Sequence, residues 1–192
     1  TEREKAAQRL KQSEERLDLA LNGADLGTWD WDIQSGEVQF DKRWAQMLGY
    51  ILAEIDPHLS TWEKLTHPDD LPDAYKALNA HLKGEMPSYE AEIRMRHKSG
   101  EWIWMQDRGR VIEWDEAGQP VRACGTHMDI TKRKKAEAAL RASEKKFSKA
   151  FQNAPLLLSI TSLEEGRYLE VNDAFLEVTG YIREEAIGDR KS

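Results

Sequence analysis

All seven tryptophans of this 192-residue chain lie between Trp29 and Trp114. Indole rings that line a cleft can hold a flat cofactor such as a flavin. The same side chains also fill the core of a small sheet domain, which is the simpler alternative, and the sequence leaves both open. The candidate pocket comprises the aromatic side chains and one methionine that the pattern brings to one cleft: Trp29, Trp31, Phe40, Trp44, Met47, Trp62 and Trp104.

The remaining reactive side chains form no recognisable catalytic or metal-binding pattern. The sequence has no phosphate-binding glycine loop, no serine nucleophile motif and no pair of histidines at metal-ligand spacing. Cys124 is the only cysteine, which excludes an intrachain disulfide and a cysteine metal cluster. We therefore expect neither catalytic residues nor a metal site, and any catalytic domain would lie outside this chain.

Composition limits the partners and the location. A net charge of −7 argues against broad nucleic-acid binding, which requires a basic surface. The basic run at 132–135 falls on a predicted helix, where a solvent-exposed face explains it. No segment is long and apolar enough to span a membrane, and the N-terminus lacks a signal-peptide pattern. We expect a cytoplasmic location and no membrane contact within this chain.

The elements that position these side chains are predicted from hydrophobic periodicity and turn residues. We expect strands at 27–33, 37–40, 88–97, 101–114 and 120–130, and helices at 42–48, 59–65 and from 66 to about 83. Trp102 and Trp104 alternate with Ile103 and Met105, so the sheet is apolar on both faces and must be covered on both. The predicted class is α+β: a five-stranded antiparallel sheet with short helices on one face and a flanking helix or second copy on the other.

Two polar helices flank this domain, because the start of the chain recurs about 130 residues later. At 2–22 and again after 132, small and apolar residues recur at alternating steps of four and three, as in a left-handed coiled coil. A homodimer through these helices is expected, and the alternative is an amphipathic helix that packs on its own domain. The large apolar residues expected at the dimer contact are Leu10, Leu17, Leu21, Leu140 and Phe147.

The repeat predicts four segments. Residues 1–25 form the N-terminal amphipathic or coiled-coil helix, and 26–130 form a globular domain of ordinary size. Residues 131–154 form a linker helix. Residues 155–192 are expected to be the opening of a second copy of the domain, whose remaining strands would lie beyond this chain.

The first domain resembles a PAS domain of the subtype with a C-terminal PAC motif. The matching segments, in the order expected of the family, are GTWDWD at 27–32, Gly36, WAQMLGY at 44–50, HPDD at 67–70, SGEWIW at 99–104 and GTHMDIT at 125–131. In the last segment of the chain, FQNAP at 151–155, EVNDAF at 170–175 and TGY at 179–181 resemble the opening of a second PAS domain. The resemblance therefore covers most of the chain.

This resemblance implies a sensory module of a bacterial signal-transduction protein, either a histidine kinase or a cyclic-di-nucleotide enzyme. Such a module senses a small ligand or redox cofactor and relays the change to downstream PAS and output domains. Asp129, Ile130 and Thr131 match the point where the family's sheet passes into a signalling helix. The alternative function is a ligand-free dimerisation or spacer module.

The resemblance also suggests which cofactor to expect. FAD or another flavin comes first, because some tandem PAS redox sensors carry FAD. Haem comes second, because some PAS domains bind it through one histidine, and His81 is the best-placed candidate here. Cys124 falls on the last predicted strand instead of a central helix, so we expect a buried inert thiol and no flavin–thiol photochemistry.

Overall fold

An antiparallel sheet of five strands is the centre of the first of two units, residues 1–134 and 135–192. The computed structural model describes residues 2–188. The strands are β1 (Leu26–Asp32), β2 (Val38–Phe40), β3 (Tyr89–Arg96), β4 (Trp102–Trp114) and β5 (Pro120–Asp129), in the order β2-β1-β5-β4-β3. Each lies within one residue of its predicted range. The predicted α+β class is confirmed, and β5 lies in the middle of the sheet between β1 and β4.

Short helices between β2 and β3 cover one face of this sheet. The helices of the first unit and its connections are α1 (Glu2–Gly23), α2 (Lys42–Met47), a 3₁₀ turn (Leu52–Glu54), α3 (Leu59–Leu65), α4 (Leu71–Leu82) and α5 (Thr131–Gln152). Asp41 caps α2 by accepting a hydrogen bond from the Trp44 N–H at 2.7 Å. Just past this helix, Gly49 has φ of 77°, which suits glycine and lets the chain reverse. Buried residues of α2, α3 and α4 join one core with the inward-facing strand residues.

The predicted helix start at Thr66 is wrong by five residues. Thr66 pairs with Met95 of β3, and its hydroxyl donates to the Trp62 carbonyl at 2.7 Å. This residue therefore closes α3 instead of opening α4, which begins at Leu71 after Asp70. A local cap signal was overridden by pairing with a strand far along the chain.

Asp70 fastens the start of α4 to β3. Its carboxylate accepts hydrogen bonds from Arg94: the backbone N–H at 2.8 Å, Nε at 2.9 Å and a terminal guanidinium nitrogen at 2.6 Å. The Arg94 side chain is the main cause that holds the pKa of Asp70 below its usual range. A carboxylate with a lowered pKa stabilises the fold above its unfolded-state pKa of about 3.9, and this contribution is lost as the pH falls through the folded-state pKa.

Replacing Asp70 with asparagine should lower the free energy of unfolding by about 2 kcal/mol near neutral pH. The difference from the unmodified protein should begin to shrink below about pH 4, where the unfolded chain takes up a proton at Asp70, and should vanish only below the lowered pKa of folded Asp70. Urea unfolding followed by tryptophan fluorescence between about pH 7 and pH 3 measures this. Asp69→Asn is the matched control, since Asp69 is 78% exposed and 3.8 Å from Arg94. A loss in Asp70→Asn that is the same at every pH would contradict the prediction.

The second face of the sheet carries large exposed side chains. Trp102, Ile112 and Trp114 of β4 are 39%, 47% and 45% exposed. On α1, Leu10 and Leu17 are 62% and 60% exposed. The predicted cover of the second sheet face and the predicted coiled-coil contact between helices therefore stay predictions.

The second unit contains a two-stranded hairpin and two short helices after α5. They are β6 (Ser159–Thr161), β7 (Tyr168–Val171), α6 (Asp173–Thr179) and α7 (Arg183–Ala186). Asn172 is fully buried, caps α6 by accepting from the Phe175 N–H at 3.1 Å, and donates to the carbonyls of Ala154 and Leu156. One buried amide thus holds the hairpin, the helix start and the incoming chain together. Across residues 2–188, no helix combines the length and apolar character needed to cross a membrane.

Candidate functional site

A small cavity lies between the concave face of the first sheet and its covering helices. Its volume is about 30 Å³. The walls are mostly apolar and aromatic, with two ionisable side chains, and comprise Trp29, Trp31, Val38, Phe40, Leu59, Trp62, Leu78, Tyr89, Asp107 and His127. This space has room for two or three waters, since one water requires about 10–15 Å³.

Asp107 is the hydrogen-bonding centre of the cavity wall. It lies on β4, is 3% exposed, and accepts from Trp29 Nε1 at 2.9 Å and from the Tyr89 hydroxyl at 3.1 Å. The Nε2 atom of His127 on β5 lies 2.9 Å from the same carboxylate. Burial above all, and then the charge of Asp107, raises the pKa of Tyr89 well above its usual range, so the phenol stays protonated and donates. Side chains from four strands therefore meet at one carboxylate.

Trp44 of α2 extends this network from the helical side. Its indole Nε1 donates to Nδ1 of His127 at 2.6 Å, and its ring stacks on Phe40 with centroids 4.0 Å apart. An imidazole nitrogen that accepts a hydrogen bond has a free lone pair, so His127 carries its proton on Nε2. Trp44 and His127 are 0% and 1% exposed, so the bond between α2 and β5 is shielded from solvent.

Two paired glycines form the floor beneath Trp29. Gly109 of β4 lies opposite Gly125 of β5, and the indole of Trp29 occupies the space above both. A Cβ added at either glycine would lie 2.3 Å from a ring atom of Trp29. The Trp29 ring therefore fills the place on the sheet that two ordinary side chains would take.

Three buried donors near this cavity lack an acceptor among the described residues. They are Nε1 of Trp31, Nε1 of Trp62 and Nε2 of His127. The His127 nitrogen lies 2.9 Å from an Asp107 oxygen but forms no hydrogen bond with it. Buried polar groups usually have a partner, so the unmet donors mark this region as a candidate site.

The structure brings four of the seven predicted pocket residues to the cavity: Trp29, Trp31, Phe40 and Trp62. Trp44 is buried in the adjoining core, where it contacts Phe40 and His127. Met47 lies away from the cavity, at a surface cleft with Arg43 and Lys132.

Trp104, predicted to be a pocket residue, does not line the cavity. Met105 is fully buried on the concave side, and strand alternation places Trp104 on the opposite face. There its ring lies 5.5 Å from the Arg94 guanidinium carbon and 5.0 Å from the Lys134 ammonium nitrogen. Trp104 belongs to the convex face and not to the pocket.

The candidate haem ligand and the thiol are also placed differently from expectation. His81 is buried, donates through Nδ1 to the Met86 carbonyl at 2.8 Å, and accepts through Nε2 from the Val111 N–H at 2.9 Å. Both ring nitrogens have partners, which leaves none for iron. Cys124 is only partly buried and lies opposite Asp30 on the convex face, so the expectation of a buried thiol is wrong.

Neither flavin nor haem fits this cavity. Sites for such ligands measure about 300–1,000 Å³, at least ten times the observed volume. Among residues 2–188, no group of three His, Cys, Asp or Glu side chains is placed to hold a metal ion. The arrangement can bind a very small molecule, or it can serve as a polar core.

The C-terminal end of β5 is joined to β4 where α5 begins. The Ile130 N–H donates to the Trp104 carbonyl at 2.9 Å, and the Trp104 N–H donates to the Thr131 hydroxyl at 3.0 Å. Asp129 Oδ1 accepts from the Thr131 N–H at 2.8 Å, which satisfies a free donor at the helix start. Ile130 is 5% exposed. Backbone and side chain thus fix the first turn of α5 to the middle of the sheet.

Charged residues extend this attachment to β3. Glu92 accepts from Arg133 and from Lys134, each at 2.5 Å. The bond to Lys134, followed by that to Arg133, lowers the pKa of Glu92. The helix start therefore contacts three neighbouring strands, β3, β4 and β5.

The curved antiparallel sheet, its helical cover and its exit into a helix define an α+β module of the PAS type. A family model described as "PAS fold" matches residues 37–127, and one described as "PAS domain" matches 145–191. A sensory box histidine kinase/response regulator structure from Burkholderia thailandensis is 36% identical, with a TM-score of 0.62 over 70% of this chain and 98% of that chain. The chain belongs to the PAS family and is a sensory module of signal transduction.

Curated relatives are much longer than this chain. The probable diguanylate cyclase DgcE of Escherichia coli is 25% identical over 186 residues, which cover 91% of this chain and 15% of that protein. A blue-light-activated histidine kinase of Brucella ovis is 25% identical over 142 residues, which cover 74% of this chain and 28% of that protein. The chain therefore spans less than a third of the length of either relative.

Proposed function

We propose that this chain is the input and relay segment of a histidine kinase or cyclic-di-nucleotide enzyme. In this proposal, residues 26–130 sense a small molecule, residues 1–25 and 131–154 are helical connectors, and 155–192 open a second PAS domain. Catalysis belongs to output domains outside this chain, and the location is cytoplasmic. The kinase and cyclase relatives support the output classes, and the two PAS matches support the tandem arrangement.

The attachment of α5 to the sheet carries this proposal. Ile130 and Thr131 link the helix start to β4 through two hydrogen bonds, and a third, from the Thr131 N–H to Asp129, lies within the junction. His127, two residues before Asp129 on the same strand, lines the cavity. A change at the cavity therefore needs to move only a short piece of backbone to reach the first turn of the helix, and a ligand drives it by binding the two conformations with different affinity.

Replacing Thr131 with valine removes the hydroxyl that accepts from the Trp104 N–H and should loosen this attachment. Hydrogen exchange of the Trp104 amide should accelerate about tenfold, equivalent to the loss of one hydrogen bond, while core amides stay protected. In the longer protein, the response of autophosphorylation or cyclic-di-nucleotide synthesis to the input should weaken. Mass spectrometry of exchanged peptides and an output assay measure the two effects.

Thr126→Val is the matched control, because Thr126 lies on the same strand, five residues before the junction, and is partly buried. It should change neither readout. Normal signalling by Thr131→Val, despite faster exchange at Trp104, would contradict the relay through this junction.

We also propose that the flanking helices form a homodimer. The exposure of Leu10, Leu17, Leu140 and Phe147 supports this, since apolar side chains at coiled-coil spacing are stabilised by a partner. Leu21, at the end of the first seam, is partly buried.

The small cavity favours one other candidate function, a ligand-free dimerisation and spacer module. A core filled by its own tryptophans works as a rigid connector without a bound molecule. Mass spectrometry of small molecules released on denaturation distinguishes the two, because a spacer releases no stoichiometric ligand.

A further inference from the structure

The buried polar groups at the cavity that lack a partner within residues 2–188 are all hydrogen-bond donors. The indole nitrogens of Trp31 and Trp62 are donors only, and the His127 Nε2 proton is a third donor. Trp31 and Trp62 are 7% and 6% exposed, and both line the cavity, so bulk water does not reach these nitrogens. An acceptor at this place would remove the desolvation cost of the buried donors.

The acceptors described at this cavity bond to other donors. The two oxygens of Asp107 take the hydrogen bonds of Trp29 and Tyr89, and Nδ1 of His127 takes that of Trp44. None of these acceptors bonds to the indole of Trp31 or Trp62, so both donors stay without a partner among the described residues. A complementary ligand must bring an oxygen or another acceptor atom of its own.

The charge of Asp107 and the size of the cavity further restrict the class of ligand. Asp107 lines the same cavity, and its carboxylate disfavours a second anion in a buried, weakly screened site. The other walls include Val38, Leu59 and Leu78, which favour an uncharged molecule. A volume of about 30 Å³ admits only a few heavy atoms.

We propose that the cavity binds a small uncharged molecule through a carbonyl-type oxygen that accepts from the indoles of Trp31 and Trp62. This inference rests on the proposed sensory function, because it assigns the class of ligand to the same cavity. The mostly apolar wall contacts the rest of the molecule, and the Asp107 carboxylate disfavours anions.

Formamide and formate are suitable probes because they have the same number of heavy atoms and differ in charge. We expect formamide to shift the ¹⁵N–¹H indole resonances of Trp31 and Trp62 saturably, with a dissociation constant on the order of millimolar. Formate should bind at least about tenfold more weakly. The resonances are assigned from single Trp→Phe variants of the full chain.

Trp62→Phe keeps an aromatic ring but removes one donor, and should weaken formamide binding about fivefold. Trp114→Phe is the control, since Trp114 is 45% exposed and away from the cavity, and it should leave the affinity unchanged. If Trp62→Phe does not fold, the comparison of formamide with formate on the unmodified chain decides alone.

Three results would overturn the proposal. They are equal responses to both probes, shifts confined to the exposed Trp102 and Trp114, and indole protons that exchange magnetisation with a buried water and ignore formamide. The binding test does not involve α5. A negative result therefore leaves the relay proposal intact, and normal signalling by Thr131→Val leaves the ligand proposal intact.

Discussion

Replacing Asp107 with alanine should lower the free energy of unfolding by about 3–5 kcal/mol. The change leaves the Trp29 N–H and the Tyr89 O–H without an acceptor in the core, and His127 loses the carboxylate beside its Nε2. It also leaves a small void at a residue only 3% exposed. Urea unfolding, with near-ultraviolet circular dichroism to follow the tryptophans, measures the loss.

Two comparisons test the cause of this effect. Asp18→Ala, on the exposed surface of α1, should change stability by no more than about 0.5 kcal/mol. Tyr89→Phe should cost clearly less in the Asp107→Ala background than in the unmodified protein, because the hydroxyl there has already lost its acceptor. Strict additivity of the two changes, or a loss below about 1 kcal/mol for Asp107→Ala, would show that the carboxylate is not the centre of the network.

Replacing Gly125 with alanine should destabilise the first unit by about 3 kcal/mol or more. The new Cβ would lie 2.0 Å from the Arg108 carbonyl oxygen and 2.3 Å from the Trp29 ring, so both backbone and side chain must shift. Thermal unfolding measures the effect. Gly23→Ala is the matched control, since an added Cβ there meets nothing within 4 Å.

The substitution Gly109→Ala tests whether the loss of stability comes from a clash with a side chain or with the backbone. A Cβ added at Gly109 would lie 2.3 Å from the Trp29 ring, whereas the nearest backbone atom, the Cys124 oxygen, would be 3.0 Å away. Trp29→Phe should therefore recover part of the stability lost in Gly109→Ala and little of that lost in Gly125→Ala. Equal recovery at both glycines would contradict the difference between a side-chain and a backbone clash.

The sheet and most helices could be predicted because their signals are local. Alternation in Trp102–Met105 and the glycine turns fix strand positions without knowledge of the partner strands. The start of α4 could not be predicted, because Thr66 is drawn into a bridge with Met95, almost thirty residues away. A cap signal in the sequence competes with tertiary pairing that only the folded chain reveals.

The site was predicted only in part, for a related reason. Alternation separates Trp104 from Met105 but does not say which of two apolar faces the helices cover. Asp107 and His127 were missed, although an ionisable residue at an inward strand position, two residues after Met105, is a usable signal. Their meeting depends on the register between β4 and β5, and the cavity volume depends on how the tryptophan rings pack.

The middle position of β5 also has a mechanical consequence. A pulling force along α5 reaches β5 first, and β5 can detach only if its ladders with β1 and β4 break together. A pull on α1 reaches β1, which is held on its other side by only the three-residue strand β2. The domain should therefore resist tension more strongly where β5 passes into α5 than where α1 passes into β1.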